Sequence, residues 1–359
     1  MSAGGIPLNQ HLRHAAFGFA LGALHRAGAT RLLAPAYAGI GSLLMFHRVR
    51  AGDAPEFAPN HGITVSAAFL ARIIDLLLER GYELVTMAEA ERRIAAGDAS
   101  RKFANLSFDD GYRDTLEVAL PVFEAKRVPM TLYLTTGFLD GEHIAWWDAL
   151  EHLLRARGRI VVPWPEGAQV LETRTSAQKE HGFGVIRARV MRMPRATREE
   201  FFRELGKACE FDLEGSVLAE RLTWEMAERL RASGFVEIGA HTVSHAVLAN
   251  ESAADVRSEM IRGRERLESR LGVAVRHFAY PFGGRAEVGA REIRLAREAG
   301  FNTAVTTRHA NLQREHCSHL HALPRISVNG FHQSTRDLAV LLSGASSAMA
   351  NRLRRVVTL

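Results

Sequence analysis

Cysteine is nearly absent from this 359-residue chain: Cys209 and Cys317 are the only two, far apart and without neighbouring ligands at metal spacing. That excludes a disulfide framework and a cysteine-based zinc module, and it fits a reducing compartment. Membrane-length apolar runs are missing as well. The apolar stretch Ala15–Leu24 follows Arg13 and has about half the length that a bilayer span needs. Residues 27–29 (AGA) have the look of a signal-cleavage site, but His25 and Arg26 interrupt the region just ahead of it. Residues 8–34 therefore read as an amphipathic helix, either packed on the domain or lying on a membrane surface. The chain reads as cytoplasmic, with peripheral membrane association or export as the alternatives. No repeat, low-complexity tract or nucleic-acid-binding motif is present.

What is there is ordinary for a globular protein: 47% hydrophobic and 24% charged residues, enough to bury a sizeable core. The net charge of +6 reads as a solvated basic surface, with attraction to an anionic glycan or membrane as the alternative. Arginine-rich stretches occur at Arg189–Arg198 and Arg352–Arg355. A short apolar strand, a loop and an amphipathic helix recur along the chain. Strands are expected at Ser42–Phe46, Leu84–Thr86, Asn105–Phe108, Met130–Leu134, Phe235–Gly239, His277–Tyr280, Thr303–Thr306 and around Leu323–Val328. Between them lie helices such as the one that Ser66 caps, with Phe69, Ile73, Ile74, Leu76 and Leu77 on one face, and the one that Thr223 caps. This alternation predicts an α/β fold, a distorted barrel of seven or eight βα units. The expected organisation is an N-terminal helical segment at 1–41, a barrel at 42–332 with a helical insertion at about 140–220, and one C-terminal helix within 333–359 (Thr335–Val357).

Four motifs place polar residues at strand ends. Leu106–Tyr112 (LSFDDGY) ends a buried strand in two adjacent carboxylates, Asp109 and Asp110. Neighbouring residues point in different directions, so one carboxylate can bind a metal while the other faces a bound water. Taken alone, a polar turn with an aspartate cap is the better explanation of the motif. Glu237–His245 (EIGAHTVSH) carries His241 and His245 four apart, within reach of one metal on a single helical turn. Two histidines and one carboxylate leave coordination positions open for water and substrate. Arg276–Gly284 (RHFAYPFGG) runs a strand into a proline and two glycines, exposing backbone N–H groups. Leu43–Val49 (LLMFHRV) is another apolar strand, ending in His47. In a βα barrel such ends meet on one face, where active sites are built.

The SFDDG and HTxxH signatures, in this order, resemble the polysaccharide deacetylase family of carbohydrate esterases over roughly residues 42–138 and 220–330. The resemblance implies a distorted (β/α)7 barrel. It also implies Asp109 as general base, with Asp110, His241 and His245 holding a divalent metal, usually zinc, and the Phe282 backbone N–H as oxyanion donor. Two departures stand out. The family's Arg-Pro-Pro-Tyr-Gly phrase is here Ala279–Gly283 (AYPFG), so the arginine that orients the base is missing; Arg325, in Leu323–Ile326 (LPRI), is the candidate replacement. The family's final strand, which ends in the catalytic-acid histidine, has no counterpart after Thr306. Leu43–His47 offers such a strand at the start of the chain, an arrangement similar to the permuted one of poly-N-acetylglucosamine deacetylases. The acid is therefore assigned to His47.

The implied reaction is metal-dependent hydrolysis of N-acetyl groups on an amino-sugar polymer or oligosaccharide, releasing acetate. Tyr280, Trp146 and Trp147 are further candidates for contact with the substrate, the tryptophans because sugar faces stack on aromatic rings. Filling the core of the insertion is the competing role for both tryptophans. Alternative functions are a deacylase or deformylase of a lipid-linked sugar and an inactive glycan-binding barrel. The expected partner is an N-acetylated glycan and no nucleic acid, with peripheral membrane contact open.

Overall fold

Strands β1 (Gly41–Phe46) and β2 (Phe103–Phe108) are buried at all six of their positions, the signature of parallel strands covered on both faces. In the computed structural model, which describes residues 10–50 and 55–358, five more strands join them. These are β3 (Met130–Leu134), β4 (Val236–Ala240), β5 (His277–Ala279), β6 (Thr303–Val305) and β7 (Ile326–Ser327). They line up as β6-β5-β4-β3-β2-β1-β7 with every pairing parallel. The two-residue strand Glu83–Leu84 pairs with the first half of β2. Val305 also bridges Leu323, just ahead of β7, so hydrogen bonds tie β6 back to the far edge. The sheet thus curls into the distorted (β/α)7-type barrel, and the first strand lies between the last strand and β2.

Two helices lead in, α1 (Gln10–Arg26) and α2 (Ala29–Tyr37). The single helix expected at 8–34 is broken because Gly28 takes a left-handed φ of 70° between them; its residues 8 and 9 lie outside the described residues. Helix α3 (Ala67–Glu79) starts where expected: Ser66 Oγ accepts from Phe69 N, and Phe69, Leu70, Ile73, Ile74, Leu76 and Leu77 face the core.

The stretch at 140–220 holds α4 (Trp146–Ala156), an antiparallel hairpin (Arg159–Trp164 with Gly167–Glu172) and α5 (Arg195–Ala208). The hairpin adds strands to the helical insertion expected here: residues 160, 162 and 164 are buried and those between them are not, a period of two, and Ile160, Val161 and Val162 favour the extended chain. These elements close their own core, in which Trp146 stacks on Phe202 and Trp164 on Phe201. Helix α6 (Ala253–Leu271) returns to the barrel. The C-terminal helix is also split, into α7 (Thr335–Leu342) and α8 (Ala345–Ala350). Gly344, at φ 75°, makes the break, and a Cβ there would come within 2.2 Å of the Tyr37 carbonyl oxygen. Among the described residues no helix is long and apolar enough to cross a membrane.

Candidate active site

Each strand ends where its polar residue begins: β1 at Phe46 before His47, β2 at Phe108 before Asp109, β4 at Ala240 before His241. Burial of the strand fixes its register, and the first residue past it is delivered to the carboxyl-end face. The backbone there is unusual. Asp110, Thr242, His245 and Phe282 have φ between 54° and 78°, half of the eight non-glycine residues with positive φ among those described. Such conformations persist only where the surroundings hold them, and they gather at functional sites.

Asp110, His241 and His245 converge. Asp110 Oδ1 lies 3.3 Å from His241 Nε2 and 3.2 Å from His245 Nε2, and all three residues are buried. Ligand atoms about 2.0–2.2 Å from a tetrahedral ion stand roughly 3.3–3.6 Å apart, so this spacing fits one small cation. Asp110 Oδ1 is buried with no hydrogen-bond donor, a costly state that a cation relieves. The ring nitrogen His241 Nδ1 donates to the Ala279 carbonyl at 2.7 Å, which leaves the Nε2 lone pair for a metal. Burial holds the His245 pKa down to about 4, keeping that imidazole in the neutral, ligating form.

Asp109 has a different partner. Arg325 Nη1 and Nη2 reach its two oxygens at 2.8 and 2.6 Å, a bidentate pair buried on both sides. Arg325 Nε donates to the Thr306 carbonyl and Nη1 also to Ser107 Oγ. Burial opposes ionisation of Asp109, but Arg325, His241 and His47 outweigh it and hold the pKa below the ordinary carboxylate value. Asp109 N donates to the Phe46 carbonyl, which sets half-buried His47 directly beside the Asp109 backbone. His47 acts electrostatically on both Asp109 and Asp110.

Two aromatic rings wall the His245 side. Trp147 tilts onto the imidazole at 4.7 Å between centroids, and Phe282 meets it edge-on at 4.7 Å. The other two aromatic candidates are not brought here. Both tryptophans are buried in the insertion's core, but Trp146 packs on Phe202 within it and only Trp147, on the neighbouring helix position, also reaches His245. Tyr280 is fully buried against Phe278, with its hydroxyl donating to the His321 carbonyl; strand alternation turns it away from the site.

Three supporting groups were not anticipated. Glu259 on α6 accepts from Val243 N, Ser244 N and Ser244 Oγ at 2.8–3.0 Å, clamping the turn between the two histidines. The available signal was a carboxylate on the buried stripe Val256, Glu259, Met260, Gly263, Leu267. Arg198 on α5 donates to the His245 carbonyl. Finally, Asp148 on α4 accepts from Tyr112 Oη at 2.6 Å, and Tyr112 Oη accepts from Trp147 Nε1 at 2.8 Å. Arg48 lies over the Tyr112 ring at 4.3 Å, is hydrogen-bonded to Asp114 and pairs with Glu220. This network joins the segments that carry His47, Asp110 and Trp147. Burial pushes the Asp148 pKa up to about 7, against the pull of Arg48 and Tyr112.

A curled parallel barrel with a buried carboxylate–imidazole cluster and a separate, arginine-held carboxylate defines a metal-dependent hydrolase. The polysaccharide deacetylase family matches residues 96–304, more than half of the chain, and the chain belongs to that family. Its activity is accordingly hydrolysis of N-acetyl amide bonds on a glycan. The matched span contains Asp109, Asp110, His241 and His245 but neither His47 nor Arg325. No curated protein matches. Solved structures that resemble the chain include Streptococcus pyogenes deacetylase PplD in complex with acetate (17% identity, TM-score 0.53, covering 80% of this chain and 92% of that one). IcaB from Ammonifex degensii is 18% identical, with a TM-score of 0.52 and coverages of 84% and 97%. A de-N-acetylase from Aggregatibacter actinomycetemcomitans is 15% identical, with a TM-score of 0.50 and coverages of 84% and 99%. At these identities the likeness is one of fold.

Proposed function

We propose that this chain removes acetyl groups from an N-acetylated amino-sugar glycan with zinc held by Asp110, His241 and His245, Asp109 as base and His47 as acid. The observation that carries the reading is the contrast between two adjacent aspartates. Asp110 presents an orphaned oxygen to two imidazoles, whereas both oxygens of Asp109 are held by Arg325. One is suited to a cation and the other to a proton. Zinc suits a nitrogen and oxygen donor set of this size. A bound cation would supply Lewis acidity, lowering the pKa of water and polarising the acetamide carbonyl.

The remaining work falls to the chain. Asp109, ionised and oriented by Arg325, accepts the proton of the attacking water. The Phe282 N–H, in its left-handed turn beside His245, faces the developing oxyanion. His47 protonates the departing nitrogen, which is otherwise a very poor leaving group. Trp147 and Phe282 exclude water from the His245 side and offer apolar surface to the sugar. The test is acetate release from N-acetylglucosamine oligomers, before and after chelation and on readdition of zinc. Zinc-restored acetate release is expected. Release that persists after complete chelation, or none from any N-acetylated oligomer while N-formyl sugars are cleaved, would overturn this reading.

A further inference from the structure

The basic residues of the chain are unevenly placed. Residues 1–40 and 338–359 contain six arginines (Arg13, Arg26, Arg31, Arg352, Arg354 and Arg355) and no Asp or Glu. The rest of the chain has 40 Lys and Arg against 40 Asp and Glu, so the whole formal charge of +6 belongs to the two terminal segments. The fold brings the described parts of those segments together. Helix α1 packs on α7 and α2, α2 packs on α8, and the Tyr37 hydroxyl donates to the Leu353 carbonyl. Phe17 packs edge-on against His332, in the loop that leaves β7 on the active-site face.

This helical layer is also where apolar side chains are left in solvent. Of the eight large hydrophobic residues exposed among those described, five lie here: Phe17, Phe19, Leu32, Met349 and Leu353, with Phe19 72% and Leu32 78% exposed. Helix α1 is apolar on both faces. Leu21 enters the core, while Ala16, Phe19 and Ala23 line the outward face at helical spacing, ending at exposed Arg26. An outward face on a soluble surface helix is normally polar, and one that is apolar all round is normally covered.

We propose that the layer of α1, α2, α7 and α8 docks on a bilayer containing anionic phospholipid, with Phe19 and Leu32 entering the interface and the exposed Arg26, Arg31, Arg352 and Arg354 facing the headgroups. Apolar burial and basic residues act together in such binding, and either alone is weak. A second copy of the chain is disfavoured as the occupant, because a two-fold contact would oppose two surfaces of the same charge. A soluble polyanion would satisfy the arginines and leave the exposed aromatic and aliphatic groups in water.

The test is co-sedimentation of the full chain with phosphatidylcholine vesicles, with and without phosphatidylglycerol, at low and high salt. Binding to the anionic vesicles alone, weakened by salt, is expected. Arg31→Glu with Arg354→Glu should weaken partitioning by roughly tenfold or more. Phe19→Ser with Leu32→Ser should also weaken it, leaving a residue of salt-sensitive attachment. Both double variants should keep acetate release from a soluble oligomer, which separates loss of docking from loss of fold or activity. The proposal is overturned if the wild-type chain ignores anionic vesicles, or if the variants bind them as well as wild type. It is equally overturned if the chain binds heparin but no vesicle, or if the serine variant merely abolishes a dimer seen by light scattering.

Discussion

At the scale of single residues, two adjacent aspartates of the same chemistry stand in different surroundings, and substitution separates them. Asp110→Asn should lose bound metal and activity together, whereas Asp109→Asn should keep metal and lose activity; metal content by elemental analysis beside acetate release is the measurement. Equal metal in both variants would mean that the roles are wrongly divided. His47→Ala should bind metal and fold normally while kcat falls about 10²–10⁴-fold, the usual contribution of positioned acid–base catalysis. Near-normal turnover would remove His47 from the mechanism. Arg325→Met leaves Asp109 buried without its cation, a change that typically costs about 3–5 kcal/mol. It also removes the strongest influence lowering the Asp109 pKa. The base is then protonated up to a higher pH, so the acid limb of the pH–rate profile moves upward. A profile that stays in place would show that Arg325 does not tune the base.

At the scale of elements, the turn from His241 to His245 depends on α6. Thr242 and His245 have positive φ, and Glu259 holds the two N–H groups between them. Glu259→Gln keeps an acceptor but loses the charge and one arm of the clamp. The expected result is a metal affinity lower by about 10–100-fold, as for outer partners of metal ligands, read by chelator competition. An unchanged affinity would reduce Glu259 to a packing residue. Helix α4 carries a pH effect of its own. The pKa of Asp148 is raised to about 7, so between the ordinary carboxylate range and pH 7 the folded chain binds more proton than the unfolded chain. Its contribution to stability is full below the unfolded value and declines as pH rises through about 7. Asp148→Asn should remove that decline, which denaturant midpoints measured across this range would reveal.

At the scale of the whole molecule, a ligand that binds only the folded state stabilises it by mass action, by about 2.7 kcal/mol at a hundred times its Kd. Zinc should therefore raise the melting temperature of the wild-type chain and leave that of Asp110→Asn unmoved. The reach of the fold also explains what was readable from sequence. Parallel strands buried on both faces leave an apolar run that ends abruptly, so β1, β2, β4 and their first polar residues were visible, as were the Ser66 and Thr223 caps. The abrupt end of an apolar strand marked Asp109, Asp110 and His241, and the spacing of four marked His245; the helical turn expected to carry the two histidines is instead an irregular loop, because Thr242 and His245 take positive φ. Which partners those groups meet depends on chain segments far away. Arg325 and Asp109 are 216 residues apart, and only closure of the barrel at β7 and β1 brings them into a bidentate pair. The same holds for side-chain direction: Trp147 reaches His245 and Trp146 does not, and Tyr280 turns into the core while Phe282 turns to the site. The breaks at Gly28 and Gly344 likewise follow from left-handed turns that let the terminal helices pack together. Local apolar pattern and residue chemistry set the strands and the donor set, because both act over a few neighbouring residues. The pairing of base with arginine, the clamp of Glu259 and the wall of the site are long-range contacts, and packing in three dimensions alone selects among the many partners a sequence offers.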